Sequence, residues 1–156
     1  MSTPGTVRDS MVTKITTLYS SKTRIPKPRA LDQNNDNLMK DGYGIYLGPT
    51  TTVDDSLGPH FVVKSTEINV VISKKIYSKE NDFTGEASVE DTLADERDAI
   101  INAVRDIISE GVDSNLVDLV YVGDDGGEFI FGDKNNYLAM TVNFAVQYKQ
   151  DLTYCI

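Results

Sequence analysis

The residues able to do chemistry in this 156-residue chain are few and badly spaced for it. His60 is the only histidine and Cys155 the only cysteine. A Cys155–His60 pair would set its nucleophile one residue from the C-terminus, where chains fray and preorganisation fails. His60 follows Pro59 at the start of a predicted strand and reads as a loop or edge residue. Without a second histidine, His-rich zinc ligation is excluded. Asp32-Gln-Asn-Asn-Asp-Asn37 places oxygen ligands at positions one, three and five of a calcium loop. Asn37 then occupies the glycine position and Tyr43 that of the bidentate glutamate, so the stretch reads as a solvated turn. Asp124-Asp-Gly-Gly127 could present two carboxylates to a hard cation, but it is equally the composition of a hairpin turn. Asp54 and Asp55 have no third ligand in view. Gly42-Tyr-Gly44 lacks the third glycine and the following helix of a phosphate loop. Neither a Gly-x-Ser-x-Gly elbow nor a His-Glu-x-x-His pair occurs. The expectation is a protein without catalytic residues, cofactor or metal.

The elements that would position these residues are clearer. Val7, Met11, Ile15 and Leu18, widened by Val12 and Tyr19, predict an amphipathic helix over Thr6–Ser20. Pro26 and Pro28 stop it from continuing, and 20–37 reads as an extended connection. Gly42–Gly48 is a short strand candidate, followed by a Thr- and Asp-rich loop, Pro49–Pro59. In His60–Tyr77, Ile68, Val70, Ile72 and Ile76 share one strand face on which Lys74 is the polar intruder. Phe61 and Val63 fall in the opposite phase, which predicts a bulge or break near Ser65–Glu67. Ser78–Ala87 reads as a loop. Val89–Glu110 is the strongest helix, with Leu93, Arg97, Ile100, Val104 and Ile107 in one row broadened by Ile101 and Ile108. Ser88 and Asp91 suggest its cap, and Gly111 its left-handed end. Strands follow at Leu116–Val122, Glu128–Phe131 and Tyr137–Lys149. In the last, Leu138, Met140, Val142, Phe144, Val146 and Tyr148 alternate with small or polar residues, as expected of a strand lining a core on one side.

The predicted order α-β-β-α-β-β-β gives an α+β fold, a largely antiparallel sheet of four to five strands against two helices. The length fits one domain over 1–156, with a flexible tail at 150–156. Met1–Arg8 lacks the regions of a signal peptide, and no apolar run reaches the roughly 20 residues of a bilayer span. The lone cysteine suits synthesis in a reducing cytosol.

Charge narrows the partners. At −9 the chain has the sign of DNA, which argues against general nucleic-acid binding. Lys22-Thr-Arg-Ile-Pro-Lys-Pro-Arg29 is the one concentration of positive charge. It reads equally as a docking strip for an acidic protein surface or as a solvated connector, with nucleic-acid contact as a further option.

The layout resembles the tail terminator and tail completion proteins of long-tailed, siphovirus-type bacteriophages. The resemblance rests on the opening helix Thr6–Ser20, the strands around Tyr43–Leu47 and His60–Tyr77, the helix Val89–Glu110 and the closing strand Tyr137–Tyr148, with Asn143-Phe-Ala-Val-Gln-Tyr148 similar to their final strand. It implies a homo-oligomeric ring, commonly a hexamer, that caps the tail tube in the virion and meets both tube protein and head–tail connector proteins. DNA would pass through an acidic lumen without specific binding, and the protein would be made in the host bacterial cytoplasm. Under this resemblance the preferred contact residues are Arg24, Ile25, Lys27, Arg29, Tyr43 and Tyr46, arginine and tyrosine being favoured at interfaces. Other readings are a neck or head-completion connector, a small ligand-binding regulatory domain, and a metal-dependent hydrolase using the aspartate clusters.

Overall fold

The structure is a computed structural model that describes residues 2–25, 39–54, 61–76, 83–131 and 135–151. Its elements are α1 (Thr3–Leu18), β1 (Thr23–Arg24), β2 (Asp41–Asp54), β3 (Phe61–Ile76), α2 (Phe83–Arg105), β4 (Leu116–Asp124), β5 (Glu128–Phe131) and β6 (Asn136–Asp151). The α+β class stands, with two helices and a mostly antiparallel sheet. The sheet has six strands rather than four or five, in the spatial order β1-β2-β3-β6-β4, with β5 beside the start of β6. The added strand is β1, two residues inside the predicted extended connection that pair in parallel with Gly42 and Tyr43. Two residues carry no periodicity, so composition could not reveal it.

Long β3 and β6 form the spine of the sheet, paired without interruption from Phe61↔Asp151 to Ile76↔Asn136. The bulge expected near Ser65–Glu67 is therefore not in β3. The irregularities lie in β2, between Leu47 and Thr50 and between Thr52 and Asp54. Pro49 sits in the first gap, and a residue with no amide cannot complete a ladder rung. The predicted loop Pro49–Pro59 is strand up to Asp54, because the β-branched run Thr50–Val53 suits an extended backbone. Residues 55–60 and 77–82 lie outside the described residues.

Both helices pack on one face of the sheet. Val7, Met11 and Ile15 of α1 and Leu93, Ile100 and Val104 of α2, with Ile107 just beyond it, close over Tyr43, Ile45, Ile68, Val70, Ile72 and the even-numbered residues Leu138–Val146 of β6. Helix α1 begins earlier than expected. Ser2 accepts the Gly5 amide at 3.2 Å, and Pro4 is tolerated in a first turn whose amides are unpaired in any case. Helix α2 also starts earlier, at Phe83. Ser88 is thus inside it, its carbonyl accepting the Thr92 hydroxyl, and the Ser88/Asp91 cap is not formed. The regular helix ends at Arg105 rather than Glu110, giving way to turns that close at Gly111 (φ +64°). Leu18 and Ile108, counted into the apolar stripes, are exposed at the element ends.

The opposite sheet face is not wholly solvated. At one end Ile25, Met39, Ile130, Tyr137 and Ala139 form a second small core. This corrects the one-sided reading of β6, which lines a core on both faces at its start. Residues 150 and 151, expected in a flexible tail, belong to β6.

Candidate functional site

Four elements converge on a buried cluster of charge. Lys22, in the tight turn after α1, has a side chain only 1% exposed. Its Nζ lies 2.6 Å from Asp41 Oδ1 at the start of β2 and 2.9 Å from Glu96 Oε2 on α2. Lys74, near the end of β3, reaches the same two carboxylates at 3.2 and 3.3 Å. Two cations and two anions thus alternate. The Lys22–Glu96 contact is an ion pair whose angles do not meet those of a hydrogen bond, leaving Glu96 Oε2 without one. Lys22 also lies 5.5 Å from the centroid of the Tyr19 ring. Burial raises the Asp41 carboxyl, but the Lys22 hydrogen bond and the charges of both lysines outweigh it and hold it below its ordinary value. Burial lowers Lys74, and Glu96 and Asp41 more than reverse this. Burial and then Glu96 push the Tyr19 phenol up. Each charge is spent on its neighbours, so the cluster ties α1, β2, β3 and α2 together.

The turn Asp124–Gly127 is occupied in the same sense. Asp124 accepts the Tyr121 hydroxyl at 2.7 Å, the Gly126 amide at 2.8 Å and Arg97 of α2 at 3.3 Å. The hydroxyl bond contributes most to holding its carboxyl low, against the effect of burial. Asp125 accepts the Gly127 and Thr141 amides. Gly126 and Gly127 have φ of +74° and +103°, the geometry their type permits. Both carboxylates build the turn. No group of three His, Cys, Asp or Glu residues positioned for a metal occurs among the described residues. His60, Cys155, Asp55 and the stretch Asp32–Asn37 lie outside them, as does the side chain of Asp54.

Of the six contact residues expected from sequence, the four within the described residues do not form one surface. Arg24 is exposed on β1. Ile25, 1% exposed, belongs to the second core, and Tyr43, 4% exposed, to the main one. The Tyr43 hydroxyl bonds to Thr16. Neither offers a partner its side chain, because each lies on a covered face of the sheet. Tyr46 is half-buried and donates its hydroxyl to the Ile25 carbonyl at 2.9 Å. Its ring folds back over Gly44, where a Cβ would lie 2.0 Å from the phenolic oxygen. Lys27 and Arg29 lie outside the described residues.

Exposed apolar side chains concentrate elsewhere. Of the nine large ones exposed among the described residues, six lie on β4 and β5: Val117, Val120, Tyr121, Val122, Phe129 and Phe131. Val122 is 65% and Phe131 69% exposed. Phe129 and Phe131 stack with centroids 6.2 Å apart, and Tyr121 tilts against Phe144. Among the described residues β4 is the last strand on its side of the sheet, so one row of its backbone groups has no described partner strand. Sequence reading missed this edge because an apolar run, Leu116–Val122 broken only by Asp118, does not tell a central strand from an outer one. The signal was present in Phe129 and Phe131, which alternate on a strand too short to be covered. Among the described residues no helix is long and apolar enough to cross a membrane. No protein-family model and no curated protein matches the chain.

Proposed function

We propose that this chain is a structural assembly protein of the tail-terminator kind. It forms a ring at the head-proximal end of a phage tail tube, stops tube growth and presents a surface to the head connector. Its contribution is shape rather than turnover. The observation that carries the reading is the sheet edge of β4 and β5, where most of the large apolar side chains exposed among the described residues gather beside backbone that no described strand pairs. Edges of this kind are usually blunted in a protein that stays alone, and exposed apolar patches mark interaction sites. The opening helix, the antiparallel β2–β3 pair, the long helix and the closing β6 supply the layout on which the resemblance rests. The charge of −9 would let DNA pass a ring of such subunits without sticking.

Electron microscopy of tail tubes assembled with and without the protein tests this. Tubes of limited length bearing one extra ring at a single end are expected. Unchanged tube ends and lengths would remove the terminator reading; binding to portal or neck rings instead would make it a head-completion connector.

A further inference from the structure

We infer that Asp125 is a site of spontaneous backbone modification, where the Asp125–Gly126 peptide passes through a succinimide to isoaspartate. The inference stands apart from the assembly reading and needs no partner. An Asp-Gly pair is open to this chemistry because glycine puts no Cβ beside the attacking nitrogen. The chain has two such pairs, Asp41-Gly42 and Asp125-Gly126, and no Asn-Gly. In the reaction the glycine nitrogen bonds to Cγ of the protonated aspartate. The amide hydrogen and the carboxyl hydroxyl leave together as water, and a five-membered imide remains. Water then opens the ring. Addition at the side-chain carbonyl restores aspartate, and addition at the main-chain carbonyl gives isoaspartate, with the chain routed through the side chain. One water is lost and one regained, with no change of oxidation state.

The fold separates the two pairs. Gly42 is buried in β2, paired with Thr23 of β1 and Ser73 of β3. Asp41 Oδ1 lies 2.6 Å from Lys22 and 3.2 Å from Lys74. Against the effect of burial, these lysines keep its carboxyl ionised, the unreactive form. Asp125 and Gly126 are both exposed. β4 and β5 run the same way along β6, joining it at Asp124↔Val142 and Glu128↔Ala139. The chain therefore does not reverse at 125–127. Three residues pass opposite two, Thr141 and Met140, and bulge out of the ladder. Positive φ at Gly126 and Gly127, +74° and +103°, accommodates the extra length. The Gly126 amide donates to the Asp124 carboxylate at 2.8 Å instead of to a β6 carbonyl. Asp125 Oδ1 accepts the Gly127 amide at 3.0 Å, and that contact closes a ring holding both the Asp125 carboxyl carbon and the Gly126 nitrogen. A Cβ at Gly126 would meet nothing within 4 Å, so this peptide has room to turn into the attack.

Isoaspartate at 125 adds one carbon to the main chain and moves the carboxylate. The Gly127 and Thr141 amides, now bonded to Oδ1 at 3.0 and 3.1 Å, lose their acceptor. The strand beyond is β5, held by four pairs with β6 and by buried Ile130. Modification thus loosens β5 and, with it, the exposed Phe129 and Phe131.

Peptide mapping of the full chain aged at mildly acid pH in oxygen-18 water tests this. Electron-transfer fragmentation tells isoaspartate from aspartate, and opening of the imide leaves a heavy oxygen behind. In the folded protein isoaspartate should build up at 125 and form about tenfold or more slowly at 41, which must wait for local opening. In urea the two positions should react at similar rates. Asp125→Asn keeps an Oδ1 acceptor and loses ammonia more readily than the acid loses water, so D125N should gain isoaspartate faster at the same position. Should D125N misfold, the comparison of folded and urea-treated wild type decides alone. Asp41 reacting as fast as Asp125 in the folded chain, Asp125 reacting only in urea, or a folded D125N ageing no faster than wild type overturns the assignment.

Discussion

Replacing Lys22 by methionine keeps the length of the side chain and removes one of four charges from the buried cluster. Glu96, with a side chain 8% exposed, is then left with Lys74 at 3.3 Å, and Asp41 keeps Lys74 at 3.2 Å. Breaking a buried pair by removing one partner destabilises by about 3–5 kcal/mol. Lys74 offsets part of this, and Asp41 is nearly a third exposed, so the expected loss is about 2–4 kcal/mol. For a chain of this length, 3 kcal/mol lowers Tm by roughly 6–12 °C. The double variant K22M/E96M removes the stranded anion as well and should be at least as stable as K22M, since apolar replacements of a buried pair are often neutral or better. The acid limb changes too. A carboxyl whose folded pKa is depressed stabilises above its unfolded pKa and loses that contribution as pH falls through the folded value. Asp41 therefore contributes above about pH 4 and less below it, and K22M flattens this dependence. Urea unfolding and calorimetry at neutral and acid pH measure all three effects. A K22M loss below about 0.5 kcal/mol, or a double variant markedly worse than K22M, would refute the claim that the cluster holds the four elements together.

Gly44→Ala puts a methyl where the Tyr46 ring lies, so the ring must swing out and release the Ile25 carbonyl; the expected loss is about 1–2 kcal/mol by urea unfolding. Tyr46→Phe should cost about 1 kcal/mol in wild type and almost nothing further in G44A, a non-additivity that a double-mutant cycle reads directly. Asp124→Asn should narrow the difference in Tm between pH 7 and pH 3. The Asp124 carboxyl is held low, so its stabilisation is present above about pH 4 and is lost on acidification.

The spine of the fold was legible because its residues alternate or recur strictly. β6 carries its six apolar residues at every second position, and α2 its row at helical spacing, so burial on the helix-covered face follows from the sequence. Boundaries were less legible where a local signal competed with tertiary packing. Pro49 read as the end of a strand although it marks only a bulge, and Ser88 read as a cap although α2 continues through it. The ion cluster left a trace that was half seen. Lys74 interrupts the apolar face of β3, and Glu96 lies three residues after Leu93 and four before Ile100, on the buried stripe of α2. Two opposite charges on two apolar stripes imply each other. Lys22 gave no such sign, because its burial depends on the turn after α1 and on β1. Ile25 and Tyr43 were misplaced on the surface for a related reason: interface preference by residue type says nothing about which sheet face a residue occupies.

A six-stranded sheet with both helices on one face has few surfaces left for a partner. The helix-covered face is closed by the main core, and the other face is closed at one end by Ile25, Met39, Ile130, Tyr137 and Ala139. Toward its other end that second face carries Ser65, Glu67, Asn69, Asn143 and Gln147; Glu67 is exposed, the others are half-buried, and Asn69 Oδ1 is shielded from solvent without a hydrogen-bond partner among the described residues. The edges differ in kind. On β4 the backbone row that no described strand pairs coincides with exposed Val120, Tyr121 and Val122, whose apolar surface is unfavourable to hydrate. Pairing this edge with another strand relieves both terms at once, and a polar or charged replacement at Val122 relieves only the apolar one. The consequence is directional: V122K should make the free subunit more soluble without making it more stable, whereas a substitution that lost fold stability there would mean the residue packs within its own chain. Thermal melts and solubility limits of the same V122K sample separate the two.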